Sequence, residues 1–204
     1  MTDADTLRTR MKAHLDAFTP RLIEETELKR ASVAVIVAPH ATTTIPSVII
    51  TRRAPRLSGH AGQWAFPGGR LDAGETALEG AVRETQEELG LTLDPTHLLG
   101  RLDDYETRSG YAISAFVFWH GAPHLTPNPD EVASIHHFNV TSLDRPDSPE
   151  LLKGPDPDRP IIRMHVDDTQ IHAPTGAVLH QFHEVAVHGR PTRVSHFDQP
   201  DWAR

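Results

Sequence analysis

Residues 76 to 90, TALEGAVRETQEELG, carry both ends of a helix and two faces that cannot share one environment. Thr76, followed three places later by Glu79, has the spacing of a capping box, and Gly90 stands where a left-handed residue closes a helix. At about 100° per residue, Leu78, Val82, Thr85 and Leu89 gather on one side with Ala81 near its edge. Glu84, Glu87 and Glu88 gather on the opposite side. The apolar side needs a body of other elements to receive it. The acidic side sets like charges at i,i+3 and i,i+4, each pair costing about 0.2–0.5 kcal/mol unless a cation neutralises it.

Carboxylates without histidine or cysteine suit a hard cation, and Mg²⁺ in particular is shared between a few carboxylates, waters and substrate phosphates. The triplet alone also reads as a solvated glutamate-rich face; its surroundings favour the ion. Upstream, FPGG at 66–69 supplies a tight turn where backbone carbonyls can approach an ion, because glycine leaves no side chain in the way. Arg83 can fork onto a carboxylate such as Glu75 and tie the loop to the helix. The 14 histidines lack ligand spacing and read as surface or half-buried residues. His180 and His183 lie three apart with no third ligand evident in the sequence.

Leu7, Met11, Leu15 and Phe18 repeat at helical steps, so an amphipathic helix is expected over 5–18. The β-branched runs at 31–39 and 47–53 predict neighbouring strands, with a further strand through QWAFPGGRL. Residues 98–121 hold two apolar runs around Gly110, read as a hairpin or strand pair, and HLTPNPDEV is a loop. SIHHFNV and IIRMHV are further strands, and TSLDRPDSPELL is a loop or helix start. A last helix is expected from Pro174 to His188, stopped by Gly189. The pattern predicts an α/β or α+β sandwich around a mixed sheet, in a single domain over residues 1–204. The tail, residues 190–204, either covers the body or reaches a partner, and an exposed Phe197 and Trp202 make a homodimer its expected use. A net charge of −8 argues against a nucleic-acid partner, no segment is apolar enough to span a membrane, and the absence of cysteine fits the cytoplasm.

Taken together, Gly69, five residues, Glu75, seven residues, Arg83-Glu84, Thr85, one residue, Glu87-Glu88, one residue, Gly90 and Leu91 resemble the signature of the Nudix hydrolases. Every charged and glycine position matches; Thr85 stands where a bulky aliphatic residue is usual. The resemblance implies an α/β/α sandwich that hydrolyses a nucleoside diphosphate linked to a further group. It assigns Mg²⁺ or Mn²⁺ to Glu84, Glu87 and Glu88, with the Gly69 carbonyl as a further ligand and Arg83 with Glu75 in support. The proton acceptor is Glu88 or, slightly favoured, Glu131 in PNPDEV; Glu87 completes the catalytic set.

The segment IITRRAPRLSGHAGQWAFPGG, residues 49–69, is similar to the coenzyme A pyrophosphatase branch. Thr51, Arg53, Ala54, Gly62 and Phe66 to Gly69 fit, as do GRLDD at 100–104 and NPDEV at 128–132. Ser58 stands where that branch has an arginine, with Arg56 the nearest substitute. Arg53 and Arg56 are thus candidates for phosphate contact, with Arg70 and Arg101 behind them, since a guanidinium pairs with phosphate bidentately. The competing readings are hydrolysis of ADP-ribose, a dinucleotide or a nucleoside triphosphate, and a module that binds nucleotides without catalysis.

Overall fold

The first β-branched run becomes the centre of the sheet. The computed structural model describes residues 3–24, 27–55, 62–121 and 123–203. In chain order its elements are α1 (Asp3–Ala17), β1 (Lys29–Pro39), β2 (Pro46–Arg53), β3 (Trp64–Ala65), β4 (Gly68–Arg70), α2 (Ala77–Leu89), β5 (Leu98–Arg101), β6 (Tyr105–Glu106), β7 (Tyr111–Trp119), β8 (Val132–Asn139), β9 (Glu150–Leu152), β10 (Ile161–Val166), β11 (Thr169–His172) and α3 (Thr175–Phe182). β1 runs parallel to β7, from Lys29 against Tyr111 to Val37 against Trp119. Its other edge takes β2 antiparallel at Ile36 to Pro39 and β4 antiparallel at Ala31 to Val33. β3 and β8 flank β2, and β5 and β6 flank β7, completing an eight-stranded mixed sheet. β9, β10 and β11 form a separate three-stranded antiparallel sheet.

Both faces of β1 are covered, which is why it reads as an unbroken apolar run. Ala34, Ile36 and Ala38, with Ile49, Phe116 and Phe118, pack against Ala81 and Leu89 of α2. Val35 and Val37, with Val48, Ile50 and Val117, face Met11 and Leu15 of α1 and Val178, Leu179 and Phe182 of α3. The expected α/β/α layering follows from this alternation. No helix among the described residues is long and apolar enough to cross a membrane.

Several local expectations are revised. QWAFPGGRL splits into β3 and β4, because the Pro67 carbonyl turns to accept the Ala34 N–H at 2.8 Å. TSLDRPDSPELL becomes a 3₁₀ turn, Val140–Leu143, followed by β9. β11 had no signal beyond Ile171, which alone on that strand is fully buried. The last helix does not run unbroken to His188: α3 ends at Phe182 and passes into a π-helical turn, His183–Val187, before Gly189 at φ 72°. That wider turn brings His188 edge-on to His183, five residues apart, and both rings meet Asp144. His183 therefore does find further donors, and His180 is not one of them.

The tail lies over the body. Phe197, expected to be exposed, is 5% exposed in a small core with Tyr105, Ile162, Ala173, Ala177 and Val194. The Tyr105 hydroxyl donates to the Phe197 carbonyl at 3.0 Å, and the Arg108 N–H donates to Gln199 Oε1 at 2.7 Å. Trp202 is exposed, at 60%. Phe197→Ala is therefore expected to lower stability by about 3 kcal/mol, the cost of emptying a buried aromatic site, in urea unfolding followed by circular dichroism. A change within about 0.5 kcal/mol is what a surface residue gives and contradicts this packing.

Candidate active site

The ends of α2 form as their residues dictate. The Thr76 N–H donates to Glu79 Oε2 at 2.8 Å, the Glu79 N–H donates to Thr76 Oγ1 at 3.3 Å, and Gly90 sits at φ 64° with its N–H on the Gln86 carbonyl. Gly80, inside the helix, lets it lie close on the preceding loop: a Cβ there falls 2.4 Å from Leu71 Cδ2.

Arg83 ties this loop to the helix. Its Nε and Nη2 donate to the two Glu75 oxygens at 2.8 and 2.9 Å, and Nη2 also donates to the Arg70 carbonyl at 2.9 Å. Nη1 reaches Glu84 Oε1 at 2.9 Å and Glu87 Oε2 at 3.1 Å. The Arg83 hydrogen bonds hold the Glu75 carboxyl below its usual range, outweighing its desolvation. The guanidinium is in turn stabilised in its charged form, chiefly by Glu75.

The three glutamates, expected together on one face of the helix, differ in exposure. Glu87 is exposed, whereas Glu88 is 5% exposed. The proline-rich loop closes this end of the helix: the Asn128 N–H donates to the Glu88 carbonyl at 2.9 Å and the Thr126 N–H to that of Leu89 at 2.7 Å. The open end of the helix is thereby satisfied and Glu131 is drawn inward. From β2, Arg53 Nη1 stands 3.9 Å from Glu88 Oε1. Ile49, Thr51 and Arg53 alternate onto the α2 side, and a bulge between Arg52 and Arg53, where β8 has an extra residue, adjusts the last of them.

Burial pushes the Glu88 carboxyl up to about 8; Arg53 opposes this, Glu84 and Glu131 add to it, and the Gly68 N–H donates to the carboxylate. Burial likewise raises Glu84, against the pull of Arg83. Gly69 presses on the same group, since a Cβ there falls 2.4 Å from the Glu84 carboxyl carbon and Oε1. Oxygen donors that resist ionisation together, without nitrogen among them, fit a hard divalent cation such as Mg²⁺ or Mn²⁺.

A cavity of about 1080 Å³ opens beside this cluster and shares Arg53, Gly68 and Gly69 with it. Arg52 and Arg70 also line it, with the rings of Trp64, Tyr111 and Trp202. The Arg70 guanidinium lies 5.3 Å from the centre of the Tyr111 ring and that of Arg52 4.7 Å from Trp64. Arg101, expected behind them, is not in this wall. Its Nη2 donates to Asp104 Oδ1 at 2.6 Å and to Ser114 Oγ at 2.9 Å, because the buried Asp104 needs a cation. Arg56 and Ser58 lie outside the described residues. Asp168, His172, Thr175 and Gln199 complete the wall from the far end of the chain, a contribution the aperiodic tail did not signal.

A family model described as NUDIX domain matches residues 28–164. The chain belongs to this family. Among curated relatives, it is 36% identical over 85 residues to Nudix hydrolase NudL of Yersinia enterocolitica, covering 41% of this chain and 44% of that one. It is 38% identical over 85 residues to NudL of Yersinia pestis strain Pestoides F, covering 41% and 43%. The chain thus matches less than half the length of these relatives. The crystal structure of a MutT/nudix family protein from Enterococcus faecalis aligns at a TM-score of 0.51 and 16% identity over 84% of this chain and 63% of that one, a likeness of fold alone. The family match stops at Met164, so β11, α3 and the tail lie beyond it.

Gly69→Ala is expected to displace the Glu84 carboxylate and weaken Mn²⁺ binding by about tenfold, measured by isothermal titration, with little change in helix content. Unchanged affinity contradicts the close approach. Glu88 generates a second expectation. Its folded pKa lies above its usual 4.5, so its contribution to stability is full below that value and is lost as pH rises through about 8. Urea unfolding in a chelator should therefore show a midpoint that falls across this window in the wild type and less steeply in Glu88→Gln.

Proposed function

We propose that this chain is a divalent-metal-dependent pyrophosphohydrolase that cleaves the diphosphate of coenzyme A or a derivative, giving 3',5'-ADP and a phosphopantetheine product. The observation that carries the reading is the meeting of Glu84, Glu87, Glu88 and Glu131 beside a cavity that also presents arginines and aromatic rings. In this reading Glu84, Glu87, Glu88 and the Gly69 carbonyl hold Mg²⁺ or Mn²⁺, which when bound draws charge from the diphosphate and acidifies a water ligand.

The chain's own residues then have distinct tasks. Arg83 and Glu75 keep the carboxylates aimed while the substrate exchanges. Glu131 accepts the proton of the attacking water, with Glu88 as its alternate; a buried carboxylate of raised pKa is suited to such a transfer near neutrality. Arg53 has a buried Nε without a hydrogen bond among the described residues, a donor left for a phosphate oxygen. Arg70 faces the same cavity, and Trp64, Tyr111 and Trp202 offer surfaces on which an adenine ring can stack.

The engagement of Arg101 with Asp104 supports a second reading, in which ADP-ribose or another nucleoside diphosphate derivative is the better substrate. Full-length protein with Mg²⁺ and a panel of coenzyme A, ADP-ribose, a dinucleotide and a nucleoside triphosphate, with products identified by mass spectrometry, separates the two. Coenzyme A is expected to have the highest kcat/KM; faster turnover of ADP-ribose overturns that choice. Glu87→Gln is expected to lower kcat by about 100-fold or more with the fold retained. Wild-type activity in this variant sinks the metal assignment.

A further inference from the structure

A second group of donor atoms lies on the opposite side of the sheet from α2. Asp144 follows the 3₁₀ turn after β8, and His183 and His188 bracket the π-helical turn after α3. Asp144 Oδ1 stands 3.1 Å from His183 Nε2 and 2.9 Å from His188 Nε2, and the two nitrogens are 3.0 Å apart. The rings cross at 81° with centroids 4.5 Å apart, so only their tips converge.

With Asp144 ionised, hydrogen bonding does not satisfy every edge of this triangle. An imidazole nitrogen has one in-plane site, holding either a proton or a lone pair, so it cannot donate to one neighbour while accepting from the other. If both rings donate to Asp144, the two N–H groups crowd each other at 3.0 Å. If one ring is deprotonated at Nε2, its lone pair opposes the carboxylate oxygen. A single cation inside the triangle satisfies all three atoms.

We propose that Asp144, His183 and His188 form a second divalent-metal site, taking Zn²⁺ or a similar borderline ion. Two imidazoles and a carboxylate suit zinc, whereas the oxygen-only glutamates suit magnesium. Bonds of 2.0–2.1 Å in a tetrahedron put ligand atoms about 3.3 Å apart, a few tenths of an ångström wider than the edges here. Asp144 is exposed, so a fourth position can be filled from solvent. The π-helical turn is what makes the site: in an α-helix, residues five apart diverge, whereas the His188 N–H here reaches the His183 carbonyl at 3.2 Å.

Such an ion staples the end of β8 to the helix that carries the cavity wall. Thr175 and Val178 of α3 line the cavity, and Thr175 Oγ1 donates to the Trp64 carbonyl at 2.9 Å. The site is thereby a structural clamp on the substrate side of the protein, separate from the glutamate cluster.

The test is zinc binding to the full chain with excess Mg²⁺ present to occupy the glutamates. Equilibrium dialysis with elemental analysis is expected to find one zinc per chain. His188→Gln and Asp144→Asn, both at accessible positions, are each expected to weaken it at least about tenfold with circular dichroism unchanged. Co²⁺ should give the intense visible bands of a four-coordinate ion in the wild type and lose them in His188→Gln. Absence of stoichiometric zinc in the wild type overturns the proposal, and so does zinc binding equally tight in both variants.

Discussion

One guanidinium holds the acidic centre in shape. Arg83 reaches Glu75, Glu84, Glu87 and the Arg70 carbonyl at once, joining the glycine turn, the loop after it and the helix. A lysine at this position supplies one point charge and cannot reproduce the fork. Without this cation the carboxylates repel one another, and β4 loses the tie from its Arg70 carbonyl to the helix. The glycines follow from the same constraint: Gly69 and Gly80 are places where backbone meets side chain too closely for a Cβ.

Glu88 shows the opposing pressure. Its carboxyl is taken out of water, and Arg53 at 3.9 Å compensates only in part. Burying a charge without full pairing is unfavourable in a stable fold, and such tension is characteristic of places that await a charged partner. The proline-rich loop satisfies the carbonyls of Glu88 and Leu89 and so closes the helix that carries this acid.

The sequence was most informative where a single local rule governs. The caps of α2, the Arg83–Glu75 pair and the buried strands all depend on neighbours a few residues away or on a simple alternation, and they formed as expected. It was least informative where tertiary packing assigns partners. Helical periodicity placed Glu88 with its exposed neighbours because it cannot register a loop folding back from residue 128. The ion pair of Arg101 with the buried Asp104, three residues on, was not announced by any local pattern. His188 was invisible as a companion of His183 because five-residue spacing has meaning only in a π-helical turn. The tail's aromatic residues carry no period, so Phe197 gave no sign that it is core.

The cavity joins two parts of the chain with different freedoms. Gly68, Gly69 and Arg53 belong to the stretch shared with the family, while His172, Thr175, Gln199 and Trp202 come from beyond the family match. Replacements on the distal wall leave the carboxylates and their guanidinium untouched. Chains that share these carboxylates and their guanidinium are therefore able to differ in the shape of the neighbouring cavity, by rewriting only its distal wall.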